Sequence, residues 1–285
     1  MPKLSGVCHR FIDANGLRVH VAEAGRGEPL VLLHGWPQHW YSFHRIIPQL
    51  ARRFHVIVPD MRGFGWTDAP SGGYRKRELA ADTIAVLDAL GIDDAVVAGH
   101  DWGGMIAWLL AVEHPERVRR LIAMNTGHLW PKAKPEVASS VLRLATYQPL
   151  IAAPLTGRLL VRRAMLPLVA KQMRAAGTWS DAAAASYTDQ FDDTDRVRAS
   201  VALYRAFLLH EAGPWLAGRY ADRRVTAPTL VIHGDADEVL RPSILRELEH
   251  HVDDLRVEII PGANHFVAED VPDEVSRLLL EFAAT

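Results

Sequence analysis

The sequence predicts an α/β fold: a mostly parallel central sheet flanked by helices on both faces, with a helical segment inserted into it. Three observations carry this prediction. Short apolar, β-branched runs recur along the chain, longer amphipathic segments lie between most of them, and the alternation stops after Met124-Asn125 and resumes near Pro228. Continuous apolar runs suit strands buried on both faces, and strand-helix-strand order implies parallel pairing through covering helices.

The chain should open antiparallel, because Asn15-Gly16 lies between the segments His9 to Asp13 and Leu17 to Glu23, the second alternating in polarity as a hairpin strand does. The apolar runs that follow are Pro29 to Leu33, His55 to Val58, Ala95 to Ala98, Leu121 to Met124, Pro228 to Ile232 and Val257 to Ile260. Amphipathic segments such as Glu78 to Leu90 and Met105 to His114 supply covering helices. Between Met124 and Pro228 the texture is helical and rich in Ala, Leu and Arg, with breaks expected at Pro149, Pro154 and Pro167. The resulting organisation is a core part over residues 1–126, a helical cap over 127–214 and a second core part over 215–285.

Composition narrows the function. With 34 acidic and 32 basic residues the 285-residue chain carries a formal charge of −2, which gives no overall field for phosphate backbones; nucleic acid is not an expected partner. Hydrophobic residues at 49% and charged ones at 23% exclude a disordered chain. The single cysteine, Cys8, excludes an internal disulfide framework and fits a reducing compartment. Met1 to Arg10 lacks the apolar stretch of a signal peptide, and no apolar run approaches the roughly 18 residues of a membrane span. A cytoplasmic location is therefore expected. Fourteen histidines show no His-Glu-x-x-His cluster, so no metal is expected and surface positions are expected for them. The glycines around Asp101 do not follow Gly-x-Gly-x-x-Gly, so no nucleotide cofactor is implied.

The chemistry lies at the carboxyl ends of the apolar runs. Gly99-His100-Asp101-Trp102-Gly103-Gly104 follows Ala95 to Ala98 and precedes a helical segment, the strand-turn-helix context of a nucleophile elbow with Asp101 at the nucleophile position. Taken alone, Asp101 also reads as a helix N-cap. His34-Gly35-Trp36-Pro37 follows Pro29 to Leu33, where a hydrolase of this architecture supplies its second oxyanion donor; the backbone N–H groups of Trp36 and Trp102 would form the pair. His233-Gly234-Asp235-Ala236-Asp237 and Gly262-Ala263-Asn264-His265-Phe266 end the last two runs. The chain order is nucleophile, acid, histidine, with Asp235 or Asp237 as the acid.

On these motifs the chain resembles the α/β-hydrolases of the epoxide hydrolase branch over nearly its whole length. The elbow continued by Trp108 and Pro115-Glu116-Arg117-Val118, the sequence His34-Gly35-Trp36-Pro37, and Asp60-Met61-Arg62-Gly63-Phe64-Gly65 are all similar to that family's motifs. The family's spacing selects Asp237 as the acid, with Asp235 the alternative. Tyr147-Gln148, 46 residues after Asp101, and Tyr204-Arg205 resemble the contexts of the family's paired lid tyrosines, whereas Tyr187 lacks such a context.

A carboxylate nucleophile is itself informative. Attack by a serine on a saturated carbon leaves an ether that water does not readily cleave, whereas attack by Asp101 leaves an ester that water activated by His265 can hydrolyse. An opening epoxide also develops an alkoxide that needs an acid, and a phenol supplies one. The expectation is a cofactor-free epoxide hydrolase, an ether-bond hydrolase acting on a small apolar epoxide. Asp101, His265, Asp237, Tyr147 and Tyr204 would be catalytic, and Trp36, Trp102, Tyr147 and Tyr204 would contact substrate. The alternatives are a haloalkane or haloacid dehalogenase with the same triad and a non-catalytic ligand receptor. A homodimer is compatible with the sequence and not required by it.

Overall fold

The computed structural model describes residues 1–131, 145–153, 156–175 and 179–283. Its strands are β1 (Val7–Ala14), β2 (Leu17–Ala24), β3 (Glu28–Leu33), β4 (Phe54–Pro59), β5 (Ala95–His100), β6 (Val118–Met124), β7 (Thr229–Gly234) and β8 (Leu255–Ile260). They form one eight-stranded sheet in the order β1-β2-β4-β3-β5-β6-β7-β8. The β1–β2 and β2–β4 pairs are antiparallel and all the others are parallel. The predicted hairpin is present. Asn15 and Gly16 take φ of 51° and 73°, and Ala14 pairs with Leu17 across the turn.

The period of two along each central strand divides its side chains between two cores. Val31, Leu33, Val97, Leu121 and Val231 face the helices Lys76–Ala89 and Trp102–Glu113. Leu30, Leu32, Val96, Ile122 and Leu230 face the other layer, which includes Ile47–Leu50 and the helix Pro272–Ala283. Each of these ten side chains is at most 1% exposed, and each such Val, Leu or Ile contributes about 1.5–3 kcal/mol by leaving water. Strand β8 departs from the expected double burial. It lies at the sheet edge, with no further strand beyond it among the described residues, and Val257 and Ile259 are exposed there.

Between β6 and β7 the described residues form helices and no strand. The helices include residues 145–152, Gly157–Leu160, Leu166–Ala175, Asp181–Thr188 and Thr194–Ala206. Two of the expected proline breaks do not occur. The helix over 145–152 runs through Pro149, with Gln148 and Ile151 buried beside it, so packing outweighs the lost backbone hydrogen bond. Pro167 follows a widened turn, Val161–Met165, in which the Leu166 N–H reaches back to the Val161 carbonyl; the wider turn accommodates the proline ring and the helix continues to Ala175. Pro154 lies outside the described residues. The histidines also depart from expectation. His20, His34, His39, His100, His128, His233 and His265 are all buried, each with a ring nitrogen hydrogen-bonded to protein. Among the described residues no helix is long and apolar enough to cross a membrane.

Candidate active site

Asp101 stands between β5 and the helix Trp102–Glu113 with φ 50° and ψ −119°, a backbone conformation that a non-glycine residue holds only when its surroundings enforce it. The enforcement comes from close backbone packing. A Cβ at Gly99 would strike the backbone of Gly103, and one at Gly103 would strike the carbonyl oxygens of Leu33 and His34. Although Asp101 occupies the N-cap position, its side chain makes no capping hydrogen bond. The Trp36 N–H donates to its Oδ2 at 2.9 Å instead.

Three strand ends converge on this carboxylate. His265, in the loop after β8, places Nε2 3.8 Å from Asp101 Oδ1 and donates from Nδ1 to Asp237 Oδ2 at 2.8 Å. Asp237, in the loop after β7, is 2% exposed and receives further hydrogen bonds from the Val239 and Leu240 N–H groups at 2.7 and 2.9 Å on Oδ1. Asp235 is exposed and binds the Gly262 N–H at 2.7 Å, holding the turn before His265 rather than its ring.

Sequence reasoning missed two supporting residues. Asn125, at φ 39° just beyond β6, donates from Nδ2 to Asp237 Oδ2 at 2.7 Å and to the Asn264 carbonyl at 3.1 Å. His100, inside the elbow, donates from Nε2 to the His265 carbonyl at 2.7 Å. Asn125 stands at the carboxyl end of a strand, as the other site residues do, and that position was the available signal.

The electrostatics follow from burial and these contacts. Burial pushes Asp101 above its ordinary value, while His265 and the N–H groups of Trp102 and Trp36 pull the other way. Burial also opposes ionisation of Asp237, yet His265, His233 and the Leu240 N–H bring it down to about 2. Burial disfavours the His265 imidazolium, but Asp237, Asp101 and Asp270 outweigh it and raise His265 above 6.5. Burial, helped by the charge of His265, lowers His100 to about 3, so it acts as a neutral brace.

A cavity of about 470 Å³, counting its open mouth, reaches Asp101. Its wall includes Trp102, Met105, Tyr147, Phe207, Trp215 and Leu240, the mostly apolar lining usual for a small-molecule site. Trp36 and Tyr204 do not line it. Their rings pack edge to face at 5.6 Å, and the Tyr204 ring lies 5.5 Å from Trp102 and 6.3 Å from Tyr147. Burial raises the Tyr204 phenol well above its ordinary value, with Tyr147 and the Asp101 charge adding to the rise. The structure thus gathers Asp101, Asp237, His265, Trp36 and Trp102 together and places Tyr147 at the cavity wall, while Trp36 and Tyr204, expected to contact substrate, pack beside the cavity without lining it. Below the site, the Lys76 ammonium sits 4.2 Å over the Trp102 ring and 3.3 Å from Glu211 Oε2.

Comparison with known proteins places this architecture. A family model described as alpha/beta hydrolase fold matches residues 28–272. A soluble epoxide hydrolase of Corynebacterium sp. is 44% identical over 119 residues, a stretch that spans 42% of either chain. Haloalkane dehalogenase 2 of Mycobacterium tuberculosis is 32% identical over 290 residues, 98% of this chain and 96% of that one. The solved structure of the epoxide hydrolase CorEH without ligand superposes with a TM-score of 0.85 at 27% identity, covering 98% of this chain and 99% of that chain. The chain belongs to the alpha/beta hydrolase fold family and is a hydrolase similar both to epoxide hydrolases and to haloalkane dehalogenases.

Proposed function

We propose that the protein is an epoxide hydrolase, with residues 127–214 as its cap, converting an apolar epoxide and water to a vicinal diol without a cofactor. The observation that carries this reading is the meeting of the Asp101 carboxylate with the phenols of Tyr147 and Tyr204, contributed by the inserted helices. Asp101 Oδ1 attacks a ring carbon, the carbon–oxygen bond breaks, and a phenol gives its proton to the departing alkoxide. Tyr147 lines the cavity and Tyr204 packs against it, its raised value keeping Tyr204 protonated as a donor to its neighbour. His265 Nε2 then takes a proton from water, and the hydroxide attacks the ester carbon of Asp101. The charge that develops on Oδ2 meets the N–H groups of Trp36 and Trp102. Asp237 holds the tautomer of His265 and stabilises its cation. Collapse of the intermediate expels the second diol oxygen, which takes the proton held by His265, and the proton left on the new carboxyl returns to the phenolate, restoring the Asp101 carboxylate and the phenol.

The similarity to a haloalkane dehalogenase over 98% of the chain favours a second reading, in which the same triad displaces a halide. A panel of neutral epoxides and haloalkanes, assayed for diol and for halide, separates the two. Diol formation with no halide release supports the first reading. Halide release alone replaces it with the second, and turnover of neither class removes both.

A further inference from the structure

The loop that carries His265 is held from two sides, and one of them is the insertion. His265 leads through Phe266 into the single turn Val267–Asp270, whose last two residues are acidic. Glu269, 2% exposed, accepts the phenolic hydrogen of the fully buried Tyr187 at 2.6 Å, and Tyr187 belongs to the inserted helix Asp181–Thr188. Asp270 accepts the indole N–H of Trp179 on Oδ1 at 3.0 Å and the backbone N–H of Asn264 on Oδ2 at 3.2 Å. One carboxylate therefore bridges the insertion to the residue immediately before His265. Trp179 also packs edge to face on Phe266 at 5.3 Å and on Tyr187 at 5.7 Å. From the core side, His44 lies 3.5 Å from Glu269 and Arg45 donates to the Glu269 carbonyl.

Among the described residues, those lining the cavity at Asp101 do not include Trp179, Tyr187, Glu269 or Asp270. Packing alone does not account for them. A buried phenol given to a buried carboxylate is a directional contact, and removing the phenol leaves a desolvated charge short of a donor. Burial and Glu269 raise the Tyr187 phenol well above its ordinary value, which keeps it a donor.

We propose that Tyr187 and Trp179 are positioning residues through which the insertion fixes His265, acting by way of Glu269 and Asp270. The kinetic consequence rests on the epoxide hydrolase reading. Attack by Asp101 needs no base, whereas hydrolysis of the ester needs the His265 ring correctly aimed at water, so loosening the loop separates the two half-reactions. The groups that face His265 are Asp237 and His233 from the end of β7, Asp101 and His100 from the elbow, and Asp270 from its own loop. Of the carboxylates, Asp270 is the one that the insertion holds.

The test uses the full chain with Tyr187→Phe, Trp179→Phe and Asp270→Asn. Single turnovers with a neutral epoxide follow alkylation and hydrolysis separately, melting temperature reports the fold, and nuclear magnetic resonance follows the His265 ring in protein without substrate. The expected result is alkylation within about twofold of the parent and hydrolysis slowed about 10- to 100-fold in Tyr187→Phe and Trp179→Phe, the scale of a misplacement near 1 Å. The His265 titration should move to lower pH in Asp270→Asn. Equal loss of both steps in proportion to the melting temperature, or no change in either, overturns the positioning role. If the parent protein alkylates no epoxide, the epoxide reading fails instead. The His265 titration then decides the positioning role alone, and an unchanged curve in all three variants overturns it.

Discussion

The two oxygens of Asp101 stand in different environments: Oδ2 accepts the Trp36 N–H at 2.9 Å, while Oδ1 lies 3.8 Å from His265 Nε2, beyond hydrogen-bond range. The oxygen in the backbone donors is prepared to become the ester carbonyl. The other is left to attack, and the base beside it shares no proton with it. Replacing His265 by Gln should therefore leave alkylation intact and trap the ester. Mass spectrometry of the variant incubated with epoxide should show an adduct on the peptide containing Asp101, and an unmodified peptide despite demonstrated binding would refute the covalent route. A single turnover of the parent protein in heavy-oxygen water should place the label in the Asp101 carboxylate.

Asp237, and not Asp235, should be required for turnover. Asp237 Oδ2 receives both the His265 and Asn125 hydrogens, whereas Asp235 serves the Gly262 N–H at the surface. Asp237→Asn should slow ester hydrolysis by about 10⁴-fold, the scale seen when a triad acid can no longer hold its histidine tautomer. Asp235→Asn should stay within about threefold, since it removes one exposed hydrogen bond. Steady-state rates of the two folded variants decide, and the reverse order would reassign the acid.

Asp101, Asp237 and His265 were legible because each ends an apolar run that becomes a parallel strand, and parallel strands present their carboxyl ends on one edge of the sheet. Tyr147 and Tyr204 were legible only through resemblance, since nothing in the texture of an amphipathic helix marks which phenol turns toward a nucleophile 46 or 103 residues away. The contact between Tyr187 and Glu269 joins positions 82 apart, and no local pattern reports such a pairing. Buried histidines were misjudged for a related reason. His20 is buried because Asp60 accepts from it at 2.7 Å, and His128 because the Ile244 carbonyl lies at 2.7 Å; both partners are distant in sequence. Pro167 was misread because a widened turn, which has no sequence signature, absorbs its ring.

The pH dependence of the two half-reactions should differ. His265 is raised above 6.5 partly by the charge of Asp101, and alkylation removes that charge. The histidine in the ester intermediate should therefore titrate at lower pH than in the free protein, placing more of it in the neutral form when the base is needed. Hydrolysis should rise with pH along this lower curve. Rapid-quench rates over a pH series, set against the magnetic-resonance titration of His265 in the free protein, check it; an acid limb at or above the free value would sink the idea. Stability follows the same signs. The stabilisation from His265 is complete below its unfolded value of 6.5 and is lost as pH rises through the raised folded value. That from Asp237 is present above 3.8 and is lost as pH falls toward about 2.

The two phenols should govern ring opening and leave ester hydrolysis largely untouched. Opening an epoxide near neutral pH produces an alkoxide far more basic than water tolerates, and an unassisted barrier would rise by several kcal/mol. Within the core, the N–H groups of Trp36 and Trp102 are engaged with the Asp101 carboxylate and His265 serves the hydrolysis half-reaction, so the acid is sought in the insertion. Tyr147 stands at the cavity wall with Tyr204 behind it, their rings 6.3 Å apart, so Tyr147 can deliver the proton and Tyr204 can stabilise it as it does. Tyr147→Phe and Tyr204→Phe should each slow alkylation by roughly 10- to 1000-fold, the worth of one positioned donor, and the double variant should nearly abolish it. Hydrolysis of an ester already formed should change by less than about threefold, because the water and its base lie on the His265 side of Asp101. Pre-steady-state quenching of tryptophan fluorescence reads the first step directly through Trp102. If the double variant alkylates at the parent rate, the phenols are not the acid, and the dehalogenase reading, which needs no proton for its leaving group, takes precedence.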